Sequence, residues 1–219
     1  MADRETDSLF KEIDEELRQE RFAKLWKAYG NYVIGAAILF VVAVAGYQAW
    51  HTYDLERRAE QSALFSTALR AVTEDKPGEA VAMLNKLAET GSTGYAALAR
   101  LDLAAVKGHT GNSPEAAAGF LKLAEDKSID ANLRNIALLL SVLHEADQGD
   151  PKVLSDRLAP LTAAASPWRH SAKELSAVLA QRMGDQPRAT RLFRELADDA
   201  TAPAGVRSRA AEMSAILGG

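Results

Sequence analysis

The residues best equipped for chemistry in this chain are four histidines, one serine–lysine pair and one glycine-bearing loop, and their spacing assembles no known site. His51, His109, His144 and His170 lie far apart, with no HExxH pair and no carboxylate-rich calcium loop, so each reads as a surface or interface residue. Ser8-Leu9-Phe10-Lys11 fits the SxxK pattern in which a lysine activates a serine for acyl transfer, but it stands alone in a charged leader without the companion motifs. GHTGNSP, residues 108 to 114, lacks the GK[ST] ending and the preceding strand of a phosphate loop, and reads as a turn between helices. Without cysteine the chain has no thiol nucleophile, no disulfide and no Cys-type zinc site. Trp168, Phe120 and Phe193 are expected in the core at repeat contacts rather than around a cofactor. No catalytic, cofactor-binding or metal-ligating residue is therefore assigned, and no small-molecule substrate is implied.

The elements around these residues explain more. In 219 residues, 47% are hydrophobic, enough for a real core, and 26 Lys and Arg against 30 Asp and Glu leave no basic region for nucleic acid. Residues 28 to 53 contain no Asp, Glu, Lys or Arg. As a helix rising about 1.5 Å per residue this run reaches roughly 39 Å, long enough to cross the hydrocarbon core of a bilayer. Trp26, Tyr29 and Tyr32 mark one end and Tyr47, Trp50 and Tyr53 the other, where an aromatic ring with a polar tip suits the headgroup region.

Ala43-Val44-Ala45 resembles a signal-peptide cleavage site, but the leader before it is long and mixed in charge, which favours a retained anchor. Arg18, Arg21, Lys24 and Lys27 before the span outnumber Arg57 and Arg58 after it, which predicts a cytoplasmic N-terminus. The expected organisation is a cytoplasmic leader over 1–27, a transmembrane helix over 28–53 and, in a bacterium, a periplasmic domain over 54–219. Phe10, Ile13 and Leu17 recur at helical spacing in the leader, with Asp7 or Ser8 as a candidate cap at its start.

Beyond Leu55, Ala and Leu dominate and strand signals are missing, so the domain reads as all-α with eight or nine helices. Gly and Pro punctuate it at Lys76-Pro77-Gly78, Gly91 to Gly94, Gly108 to Pro114, Gly149 to Pro151, Ser166-Pro167, Gly184 to Pro187 and Pro203. A shift of 73 residues superimposes Tyr95 on Trp168, Gly111 on Gly184, Asn112 on Asp185, Pro114 on Pro187, Ala116 on Ala189, Phe120 on Phe193, Leu123 on Leu196 and Ala124 on Ala197. The interval divides again, since Leu87, Leu123, Leu161 and Leu196 follow one another by 36, 38 and 35 residues. Four helical hairpins of about 36 residues are predicted, each covering the apolar face that its neighbour leaves open. In each, Gly followed by Asn or Asp should make the turn and an Ala should open the second helix.

GNSPEAAAGFLKLAED and GDQPRATRLFRELADD resemble the second half of a tetratricopeptide repeat, while Arg100 and Ala104 depart from the Trp and Gly expected in the first half. Together with KLWKAYGNYVIGAAILF, GYAALARLDLAAV, DANLRNIALLLSVL and SPWRHSAKELSAVLAQRMGD, the chain resembles the ancillary SecYEG translocon subunit family of bacterial inner membranes. That resemblance implies a non-enzymatic, single-pass inner-membrane protein whose periplasmic repeats sit beside the Sec translocon. It also implies company with a periplasmic prolyl-isomerase-like chaperone that handles newly exported proteins. The residues alone leave two other readings open, a scaffold for another cell-envelope or division complex and a periplasmic enzyme with an unrecognised site.

Overall fold

The computed structural model describes the backbone of residues 2–218 and the side chains of residues 23–32 and 34–218. The described residues form nine α-helices and one 3-10 turn, and the chain divides into two compact units, Met1–Arg57 and Arg58–Gly219. Helix α1, Ala2–Thr73, runs unbroken through leader, apolar run and the first helix of the repeats. Asp7 and Ser8 therefore lie inside it rather than at its start; their side chains, like those of Ser8 and Lys11 in the SxxK match, are outside the described residues. From Ala23 onward α1 contains a stretch with mean hydropathy 1.9 of which 0% is buried, and among the described residues it is the one helix long and apolar enough to cross a membrane. Trp26 folds its indole over Gly30, where an added Cβ would stand 3.2 Å from the ring.

In the second unit the hairpins follow in order: the end of α1 with α2 (Pro77–Thr90), α3 (Thr93–His109) with α4 (Ser113–Glu125), α5 (Ala131–Glu145) with α6 (Pro151–Leu158), and α7 (Arg169–Arg182) with α8 (Gln186–Asp198). Helix α9, Ala204–Gly218, packs on α8. Each second helix starts with Pro at its first or second position, where the missing N–H costs nothing. Asn112, Asp150 and Asp185 add side-chain caps to three of them.

The 73-residue repeat extends to helix bounds and hydrogen bonds. Adding 73 to the ends of α4 and α5 gives the ends of α8 and α9. Gly111 and Gly184 both adopt positive φ, 87° and 76°, which a Cβ would disfavour. Beyond them Asn112 N–H donates to Lys107 O at 2.9 Å and Asp185 N–H to Ala180 O at 3.0 Å, closing the first helix of each hairpin. In the first hairpin Asp75, φ 57°, occupies the same place, and Lys76 N–H reaches Ala71 O at 2.9 Å. Thus the turn expected to carry Gly uses Asp there, a residue that tolerates this conformation better than most.

The third hairpin departs further. Leu154 stands where Ala80, Ala116 and Ala189 open the other second helices, so the expected Ala is absent; helix α6 is short and passes at Ala159 into a 3-10 turn over Ala159–Thr162 containing Pro160. Between α4 and α5 the chain breaks without Gly or Pro. Asp126 accepts from Ser128 N–H at 3.0 Å and Ser128 Oγ at 2.6 Å, and Arg134 Nη1 donates back to Ile129 O at 3.0 Å. Its counterpart between α8 and α9 repeats this bond for bond: Asp199 accepts from Thr201 N–H at 2.8 Å, and Arg207 Nη1 donates to Ala202 O at 2.8 Å.

Every buried cluster draws on consecutive helices. Ala68 of α1, Leu84 and Leu87 of α2 and Ala99 and Val106 of α3 form the first; Ala97 and Ala104 of α3, Ala116, Phe120 and Leu123 of α4 and Ala137 of α5 form the next pair. Val142 of α5, Leu154 and Leu158 of α6, Leu161 of the 3-10 turn and Leu179 of α7 follow, and Ala177, Phe193, Leu196, Val206 and Ala210 form the last. A hairpin alone would expose half of its cluster, so the array is stable only as a stack.

Candidate functional site

The sequence candidates for chemistry are dispersed over the structure. His51 is exposed on α1 with its ring 6.1 Å from that of Tyr47, and His109 is exposed at the end of α3. His144 of α5 stacks on Phe120 at 5.4 Å and fills the space left by Gly108, where a Cβ would collide with its ring. His170 is buried at the start of α7, its Nε2 3.1 Å from Asp199 Oδ2 and 3.3 Å from Thr201 Oγ1. GHTGNSP forms the end of α3, the left-handed Gly111 and the cap of α4. Phe120 and Phe193 are each 1% exposed core residues, as expected, and Trp168 is half-buried at the cap of α7 with its indole N–H enclosed.

What the structure assembles instead is a face. The first helices of the hairpins, and α9 after them, each leave one equivalent apolar position open: Leu69 of α1, Ala105 of α3, Leu143 of α5, Val178 of α7 and Ile216 of α9, following one another by 36, 38, 35 and 38 residues. Leu69, Leu143 and Ile216 are exposed, and Ala105 and Val178 are half-buried. Among the described residues of Arg58–Gly219, the exposed large apolar side chains are Leu69, Leu143, Val153, Met183 and Ile216, and three of these five fall on the row. Leu143 is 55% and Ile216 67% exposed, far more than a packed helix position requires. A regular apolar row of this kind reads as a binding surface rather than as scattered surface leucines.

In its C-terminal part a groove of 430 Å³ opens between α5, α7 and α9, floored by Leu139, Leu143, Leu175 and Val178. Glu174 and Arg209 close one side through a two-pronged ion pair, Nε to Oε1 at 2.7 Å and Nη2 to Oε2 at 2.9 Å. Hydrogen bonding to Glu174 raises the Arg209 pKa above its ordinary value, and the two-pronged contact satisfies both side chains. Asp102 lies one turn before Ala105 on the same face of α3, and burial pushes its carboxyl pKa upward.

The loops behind this face are held by carboxylates of the opposite tendency. Thr201 hydrogen bonds, first from its hydroxyl and then from its N–H, hold the Asp199 pKa down to about 2. Ser128 does the same for Asp126, whose pKa is also lowered. Asp126 is tied to α3 by Arg100 at 3.3 Å, and Asp199 to α7 by His170.

None of the row was singled out from the sequence as a binding position, although applying the 36, 38 and 35 spacing to the first helices rather than the second would have aligned its members. Their exposure was not legible, because Leu143 has the same helical spacing as its buried neighbours.

Comparison with known proteins follows the fold. The family described as Tetratricopeptide repeat-like domain matches residues 23–195, so the match includes the apolar run of α1 as well as the hairpins through most of α8. A relative from Haemophilus influenzae named "Ancillary SecYEG translocon subunit" is 30% identical over 90 residues, 41% of this chain and 44% of that protein. The alignment thus spans less than half the length of the relative. No solved structure matches.

Proposed function

The chain belongs to the tetratricopeptide repeat-like domain family, and from that premise we propose that it is a membrane-tethered binding scaffold rather than an enzyme. The span within α1 anchors it in a bacterial inner membrane, the basic residues before the span hold the N-terminus in the cytoplasm, and the repeats work in the periplasm. There the apolar row from Leu69 to Ile216 docks partner segments at the Sec translocon and passes them to a periplasmic prolyl-isomerase-like chaperone. The single observation that carries the binding role is the row itself, because five helices repeat an apolar position at one register and three of them leave it exposed. The name of the Haemophilus influenzae relative supports the choice of translocon. Tethering contributes through effective concentration, so modest affinity for each segment suffices.

A photo-crosslinking residue placed at position 143 or 216 of the full chain in native membranes tests this reading. Adducts with translocon subunits or a chaperone are expected, with weaker ones from position 153, which lies off the row. Adducts at 153 but not at 143 or 216 would remove the row as the docking face.

A further inference from the structure

Resting on that reading, the structure also indicates what kind of segment the row accepts. We propose that Asp102 is the specificity residue of the apolar face, selecting partner segments that place one lysine or arginine among apolar side chains.

Leu98, Asp102 and Ala105 are spaced by four and three residues and therefore share one face of α3, where all three are half-buried. In the repeat register Asp102 corresponds to Ser66 of α1, Leu140 of α5 and Leu175 of α7, so the other first helices carry no charge at this position. Among the described residues no hydrogen bond or ion pair reaches its carboxylate, and burial is the one cause of its raised pKa. The charged groups that line the groove between α5, α7 and α9, Glu174 and Arg209, already satisfy each other. Asp102 is thus a half-buried carboxylate whose folding contribution is unfavourable, at a place where its counterparts are a serine and two leucines.

A lysine or arginine suits this arrangement for two reasons. Its aliphatic stem can lie along Leu98 and Ala105 while its head reaches Asp102, which pairs the charge and covers apolar surface together. An acidic residue in the same place would bring a second carboxylate with no donor to the half-buried Asp102, so the face discriminates by penalty as well as by attraction.

The test uses the full chain in detergent micelles and three fluorescent helical peptides of leucine and alanine, identical except for Lys, Gln or Glu at the centre. The Lys peptide is expected to bind about tenfold more tightly than the Glu peptide, as one charge-assisted hydrogen bond allows. Asp102→Asn should erase that preference while leaving affinity for the Gln peptide unchanged. It should also leave the melting temperature equal or higher, since no native partner is lost. Persistence of the preference in Asp102→Asn, or a marked fall in melting temperature, would overturn the proposal. Binding of all three peptides with equal affinity to the native chain would sink this inference alone. If Leu143→Asp leaves all three affinities intact, the row itself is not the docking face and both readings fall.

Discussion

Helices α3, α4 and α5 and helices α7, α8 and α9 are two castings of one 73-residue pattern, alike in their turns and loop ties and different in several helix side chains. Turn glycines, Asx caps, the buried Phe and the arginine that holds each interhelical loop occur in both. Yet in the same register Asp102 corresponds to Leu175, Leu101 to Glu174, Ile136 to Arg209 and Ala97 to His170. Even the link from loop carboxylate to first helix changes hands, from Arg100 in one half to His170, one turn earlier, in the other. Backbone-directed interactions recur in both halves, while several helix side chains differ between them. Such a division is expected where the stack must keep its packing and the exposed face carries the specificity.

The sharpest way to break the comparison is through the core. Phe120→Ala and Phe193→Ala should each cost about 3–5 kcal/mol, because both rings are fully enclosed. Urea unfolding of the two variants should show a single transition displaced to lower concentration in each. Equal midpoints to the native chain would mean that the two halves do not share a packing role at this position.

A smaller effect is expected from the loops. Arg207→Ala and Arg134→Ala each remove hydrogen bonds to loop carbonyls, at a cost of roughly 1–2 kcal/mol by the same denaturation measurement. If one is neutral and the other not, the loops are alike in geometry but not in energy.

Acid titration should then separate the carboxylates with the smallest signals. Asp199, with its pKa lowered to about 2, contributes stability that is present above the ordinary carboxylate pKa and lost as pH falls from there toward 2. Asp102 has the opposite sign: its raised pKa makes the folded form less stable as pH rises through the carboxylate range. Differences in melting temperature between the native chain and Asp199→Ala should therefore shrink toward pH 2, whereas those for Asp102→Asn should shrink as acid protonates Asp102. A pH-independent difference for either variant would deny it an electrostatic origin.

Much of this architecture could be read from residue order. Gly111, Pro114 and Phe120 matched to Gly184, Pro187 and Phe193 gave the hairpins their register, because turn geometry and core volume each admit few residue types. The break between α4 and α5 carries no Gly or Pro and followed from the repeat length alone, because Asp126 and Ser128 end α4 with side-chain hydrogen bonds. Leu154 hid the irregular third hairpin, since a leucine fits helical spacing whether or not the helix that carries it is short. The apolar row was obscured for a related reason: periodicity tells which residues share a side of a helix, not which side the next helix leaves open.

The coincidence of helix limits across 73 residues has a use in building longer arrays. Since α9 ends in the register of α5, the segment that follows α5, beginning at Ala146, has a geometrically matched junction after Gly218. Joining residues 146–218 there would add another α6–α9 block. Its new seam would require Ala211→Leu, Glu212→Leu and Ala215→Val, which reproduce Leu138, Leu139 and Val142 of α5, the residues that already pack against the hairpin that follows. Three substitutions and one splice would thus lengthen the apolar row by two first helices, and the molecule can be treated as extendable stock cut at one repeat length.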